Sequence, residues 1–174
     1  MSLRYKFRKA DNLIAGLSPD ERVALDDICS TIRRVEKHFL NAAQTILNDC
    51  GARCQGLCCR NIHIDDIMTL LDCVHIRVTA PGIRTAVDAA LDREGPFSAD
   101  CIFLTQGVGP CIFPSDARPE KCLLSFCHGD EIVAAEARQV RKSFTRLARF
   151  IFWRKPRAVK RFFVKKIFVD RKPT

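Results

Sequence analysis

Four cysteines stand within ten residues of this chain, at Cys50, Cys54, Cys58 and Cys59, with Gly51 and Gly56 between them. No other feature restricts the fold as much, because packing alone gives no reason to crowd thiols this way. A second group follows at Cys101, Cys111, Cys122 and Cys127. Eight thiols in two bunches predict one metal centre built from both. Thiolate–metal bonds are about 2.3 Å long, so ligand sulfurs must come within roughly 4 Å of one another.

Helical spacing would stack Cys50, Cys54 and Cys58 on one face. Gly51 and Gly56 argue instead for a loop with some positive φ. Loops of that kind turn successive backbone N–H groups inward, which suits anionic sulfur. Arg53 and Arg60 are close enough in sequence to offset that charge, or are simply solvated.

The 174 residues, 47% of them hydrophobic, suffice for a single domain with its own core. No apolar run has the length of a membrane span. The basic start, Arg4, Lys6, Arg8 and Lys9, lacks the apolar stretch of a signal peptide. The expected compartment is the cytoplasm, where thiols stay reduced and ten cysteines favour metal over disulfides. Adjacent Cys58 and Cys59 are badly placed to bridge each other. An exported, four-disulfide protein is the disfavoured alternative.

The expected fold is mainly α: a small single domain of several helices, a cysteine-rich metal-binding loop region and a short β-hairpin. Residues 1–17 read as a basic arm, 18–155 as the domain with its motif region at 50–127, and 156–174 as a basic tail or helix. Ser18, Pro19 and Glu21 form a helix start of the capping-box type. Val23, Ile28, Ile32, Val35, Phe39, Ala42 and Ile46 then continue at helical spacing to about Asn48. Cys29 within that helix, and Cys73 further on, read as small core residues rather than ligands.

Ile62, His63 and Ile64 suggest a short strand or extended lead-in. Asp65 or Asp66 would then cap a helix through Ile67, Leu70, Leu71 and Val74. Thr79, Ala80, Pro81 and Gly82 break the chain, and 83–91 reads as a third helix stopped near Gly95 and Pro96. Cys101-Ile102-Phe103-Leu104 and Cys111-Ile112-Phe113 flank a glycine-containing turn, a pattern of a hairpin or paired loop. That pairing would bring Cys101 near Cys111. Pro119 suits the first turn of a short helix.

From about Asp130 a long helix is expected. Val133, Ala137, Val140, Phe144, Leu147 and Ile151 make its apolar stripe, and Arg138, Lys142, Arg146 and Arg149 a basic face. Pro156 would end it, and it should pack on the first long helix. Residues 131–174 carry 14 Lys/Arg against Glu131, Glu136 and Asp170, a net of +11; the rest of the chain has 15 against 17, a net of −2. Residues 157–169 alternate basic residues with Val159, Phe162, Phe163, Val164, Ile167 and Phe168. Such a segment is either a docked terminal helix or an anion-binding tail for a membrane surface or nucleic acid.

At its cysteines the chain resembles the YkgJ-type cysteine-cluster family of zinc- or iron-chelating proteins, which includes flagellin lysine N-methylase-like members. The family pattern is a crowded CxxCxxCC-like stretch, then C-x-F-L, C-x-I and R-P-x-x-C segments. Here these are Cys50–Cys54–Cys58–Cys59, Cys101-Ile102-Phe103-Leu104, Cys111-Ile112-Phe113 and Arg118-Pro119-Glu120-Lys121-Cys122. The first two cysteines are separated by three residues rather than two, Phe113 replaces the usual tyrosine, and Leu123 a frequent arginine.

The resemblance implies iron or zinc. All-thiolate ligation suits tetrahedral zinc and iron–sulfur clusters alike. Ligand type and the methylase resemblance favour an iron–sulfur cluster. Radical SAM enzymes space their first three cysteines differently, on a much longer chain. His63 and His128 are the histidines nearest the cysteines and are secondary ligand candidates; His38 and His75 have less to recommend them. No phosphate loop, dinucleotide fingerprint or Ser-His-Asp pattern is present. Asp65 with Asp66 suits a helix cap better than acid–base work.

Two functions follow as expectations. One is a metal-binding protein in redox chemistry, metal handling or methyl transfer, acting on a protein partner or substrate the sequence does not name. The other is a non-enzymatic, metal-stabilised module that binds nucleic acid or an anionic membrane surface through its basic end.

Overall fold

The stretch expected to be a basic arm is a core helix. In the computed structural model, which describes residues 2–48, 62–92, 101–105, 111–125, 131 and 133–154, helix α1 spans Leu3–Ala15. Leu3, Phe7 and Ala10 recur at helical spacing and are fully or almost fully buried. Arg4, Arg8 and Lys9 carry the charge that suggested an arm, but they lie off that stripe. Burial of a Leu or Phe side chain contributes about 1.5–3 kcal/mol, which outweighs the solvation of charges that stay exposed.

Helix α2 (Pro19–Ala42) starts as the sequence predicts. The Ser18 hydroxyl accepts the Glu21 N–H at 3.3 Å, and the Glu21 carboxylate accepts the Ser18 N–H at 2.7 Å. Both orphan donors are thereby satisfied. After a turn at Ala43 the chain is helical again over 44–48, so the helical stretch reaches Asn48 as expected. Its buried stripe is Leu25, Ile28, Cys29, Ile32, Glu36, Phe39 and Ala43. Val23, assigned to the stripe from sequence, is 70% exposed, since it falls on the opposite side from Leu25.

Of the two expectations for Ile62–Ile64, the structure has the extended lead-in rather than the strand: His63 is extended, and a single helical turn, α3 (Ile64–Ile67), follows it. One expectation about the next helix is corrected. The cap of helix α4 (Leu70–Thr79) is Thr69, not Asp65 or Asp66. The Thr69 hydroxyl accepts the Asp72 N–H at 3.2 Å, and Asp72 Oδ2 accepts the Thr69 N–H at 2.6 Å. Pro81–Ile83 forms a 3₁₀ turn and leads into helix α5 (Arg84–Asp92), the expected third helix. Its stop near Gly95 and Pro96 lies outside the described residues.

Pro119 opens a short helix, α6 (Glu120–Leu124), as expected, and the long helix α7 is Ala134–Arg154. The fold is mainly α. Leu104 and Cys111 form an isolated antiparallel bridge between the two Cys-Ile-Phe segments. The turn that would complete a hairpin lies outside the described residues, as do Pro156 and 157–169. No helix among the described residues is long and apolar enough to cross a membrane.

Helices α2 and α7 form the main layer. They run antiparallel: Asp27 meets Arg146 at one end, while Val35 and His38 share a groove with Ala135, Glu136 and Gln139 at the other. Val140, Phe144 and Leu147 of α7, with Val133 just before it, supply the buried face, so the predicted packing of these two helices is what the structure has. Helix α1 lies on α4, which also touches α2 and α7.

One cation holds α1, α4 and α5 together. The Arg77 side chain on α4 is only 5% exposed, with Asp11 of α1 at 3.3 Å and Asp88 of α5 at 2.5 Å. Its guanidinium also lies 4.7 Å from the Phe7 ring centre. Removing one partner of a buried ion pair leaves charge uncompensated. Asp11 and Asp88 still reach water and Arg84, which moderates the loss. Arg77→Ala is expected to cost about 2 kcal/mol in urea unfolding; an unchanged midpoint would show that the network does not hold the helices.

Candidate metal centre

The described parts of the motif region gather around the first half of α1 and the start of α4, with residues 115–117 against α2, where Arg33 meets Asp116 at 2.7 Å. The buried Lys6 ammonium on α1 donates to the main-chain carbonyls of Asp65 and, at 2.7 Å, of Met68. It thus fixes the segment that leads out of the first cysteine group. Phe7, on the next position, meets Phe103 edge-on at 6.5 Å, and Phe103 meets Phe113 at 4.6 Å. Asp72 Oδ1 accepts the Glu120 N–H at 2.7 Å, so the carboxylate that caps α4 also seats the Arg118–Cys122 segment. Lys121 reaches the Asp66 carbonyl at 3.4 Å.

Cys101 and Cys111 have matching surroundings. Each opens a Cys-Ile-Phe triplet. The Ile112 N–H donates to the Phe103 carbonyl at 2.9 Å, which holds the two triplets side by side. Burial pushes both thiols up; the Phe103 and Phe113 N–H groups act in the opposite sense, and for Cys111 so does Arg118. Cys101 also feels Cys111, which raises its thiol further. Arg118 keeps a buried Nε with no hydrogen-bond partner. Amide donors and a guanidinium are the groups that stabilise anionic sulfur.

Cys122 is half-buried on α6. The described cysteines, Cys29, Cys73, Cys101, Cys111 and Cys122, form no disulfide. Cys50, Cys54, Cys58, Cys59 and Cys127 lie outside the described residues, as do Arg53, Arg60 and His128. Among the described residues no three His, Cys, Asp or Glu side chains are grouped to hold a metal ion. His63 is exposed at the start of α3 and makes no side-chain cap. Cys29 and Cys73 are fully buried in the helical core, where burial raises their thiols, Cys29 to about 12.

Sequence reasoning passed over Glu36 and His75. Both side chains are completely buried, with Glu36 Oε2 and His75 Nε2 3.2 Å apart. Burial pushes the Glu36 carboxyl up to about 9, with Asp72 and Asp116 adding to the rise. Burial also pushes the His75 imidazole down to about 4. The pair therefore holds one proton between the two side chains over the whole neutral range. Glu36 Oε1 and His75 Nδ1 have no hydrogen-bond partner, and Phe144 of α7 covers the imidazole edge-on at 5.6 Å. One signal was legible: Glu36 falls in phase with Ile32 and Phe39, a charged residue on an apolar stripe.

Comparison of the chain with protein-family models, with curated proteins and with solved structures gave no match.

Proposed function

We propose that this is a metal-binding cysteine-cluster protein of the YkgJ type. In this reading Cys50, Cys54, Cys58 and Cys59 converge with Cys101, Cys111 and Cys122, and with Cys127, on one centre. That centre holds an iron–sulfur cluster in preference to zinc, and serves redox chemistry, metal handling or methyl transfer in the cytoplasm. The observation that carries the reading is the matched pair of Cys-Ile-Phe triplets. Two Cys-Ile-Phe triplets held together by the Ile112 N–H on the Phe103 carbonyl and the Leu104–Cys111 bridge, with the Arg118 charge acting on Cys111, suit a pair of thiolate ligands better than packing thiols. Cys29 and Cys73 supply the internal contrast, since each is wholly buried on a core helix and neither opens such a triplet.

Protein purified without oxygen, with iron, zinc and acid-labile sulfide measured, tests the reading. Cys101→Ser, Cys111→Ser and Cys122→Ser are expected to lower metal content, and Cys29→Ser and Cys73→Ser to leave it unchanged. Stoichiometric metal in all five variants, or none in the native protein, would sink the proposal.

A further inference from the structure

The outer face of α7 has no place in the metal reading and carries a separate inference. Arg138, Lys142, Arg146, Arg149 and Trp153 follow at spacings of four, four, three and four. At 3.6 residues per turn they fall within an arc of about 80° and run along about 22 Å of helix. All five are exposed. Trp153 is 75% exposed, and the Arg149 guanidinium lies 5.4 Å from its ring centre. The acid facing this ridge is Asp27 of α2, 3.7 Å from Arg146 and itself 68% exposed. Exposed pairs of that kind contribute little.

Residues 137–169 contain twelve Lys/Arg and no Asp or Glu. A ridge of cations ending in an exposed indole is complementary to a surface that is anionic outside and apolar beneath. Trp is at home at that boundary, and Lys and Arg sit among the headgroups above it. Phosphate contacts would explain the charge equally well on nucleic acid. They would not explain Val159, Phe162, Phe163, Val164, Ile167 and Phe168, whose aliphatic members have nothing to stack on a base but can enter an acyl layer.

We infer that the Arg138–Trp153 ridge of α7 is a docking surface for an anionic lipid membrane, with Trp153 as its interfacial anchor. The inference does not depend on the metal centre. Trp153 is the chain's sole tryptophan, so its emission reports on this surface alone. Full-length protein is titrated with phosphatidylcholine vesicles, with and without phosphatidylserine. The emission is expected to move to shorter wavelength only with phosphatidylserine present, and brominated lipid is expected to quench it. Lys142→Gln with Arg149→Gln should weaken binding roughly thirtyfold, since each cation near such a surface contributes on the order of 1 kcal/mol. Circular dichroism of that variant should match the native protein, because both side chains are exposed.

Emission unmoved by anionic vesicles would overturn the inference. So would equal binding to neutral vesicles, undiminished binding by the variant, or saturable binding of nucleic acid without any binding of vesicles.

Discussion

Raising the pH from 6.5 to about 9 is expected to destabilise the native protein by about 3 kcal/mol, and Glu36→Gln to remove most of that fall. The proton count gives the sign. In the unfolded chain Glu36 and His75 titrate near 4.5 and 6.5, so together they hold two protons in acid, one between those values and none above. In the fold the pair keeps one proton from about 4 to about 9. Where the folded state holds more protons, stability falls with rising pH by about 1.4 kcal/mol per unit for each excess proton. That condition holds from 6.5 upward. Between 4.5 and 6.5 the counts match and the pair adds no slope; below that the unfolded chain holds more and stability drops.

The proton count is the same whether the proton sits on the carboxyl or on the imidazole. An amide at position 36 keeps a hydrogen-bonding partner for His75 but has nothing to ionise. Urea unfolding of both proteins at pH 6, 7.5 and 8.5 checks this, the difference between them isolating the pair from metal-linked protons. Parallel slopes above pH 6.5 would refute it. Measurements should stay below pH 9, where the raised thiols of Cys29 and Cys73 begin a second decline of the same sign.

If the cysteines hold a metal as proposed, stripping it is expected to unfold the motif region, and Cys58→Ser to lower both metal content and thermal stability. A structural thiolate site contributes on the order of 10 kcal/mol to folding, comparable to the whole stability of a domain. The described motif segments are held by Lys6 on the Asp65 and Met68 carbonyls, Asp72 on the Glu120 N–H, Arg33 on Asp116, and the buried Phe103, Phe113 and Leu123. Helices α2 and α7 have a broader apolar interface and should keep more of their structure. Far-ultraviolet circular dichroism should therefore fall only in part, while amide protection at residues 101–104 and 111–125 is lost. A metal-free preparation with the melting curve of the native one would make the metal peripheral.

What the sequence disclosed depended on how local the physics was. The start of α2 is written in Ser18, Pro19 and Glu21, and the stripe of α7 in residues four and three apart, so both were readable. Helix α1 was misread because its charges were counted before its period: Leu3, Phe7 and Ala10 already had helical spacing. At Thr69 the box is completed by Asp72 rather than the usual Glu or Gln, and two nearer aspartates drew the cap away. The Glu36–His75 pair joins positions 39 apart, and no local rule predicts a partner at that distance. Of the candidate centre, the pairing of the two Cys-Ile-Phe segments was legible in their repeated triplet. The burial that raises both thiols was not, because it depends on what packs over them.

The order of synthesis gives the α1–α4 packing a further meaning. Leu3, Phe7 and Ala10 are made well before the helix that covers them, which begins at Leu70. At about 5–20 residues per second a ribosome takes several seconds to cross that interval. Throughout it the apolar side of α1 has no α4 to cover it, and Lys6 lacks the two carbonyls that satisfy it in the fold. A chain released anywhere before Thr79 would keep that surface bare, which makes early termination products of this protein candidates for aggregation and rapid proteolysis.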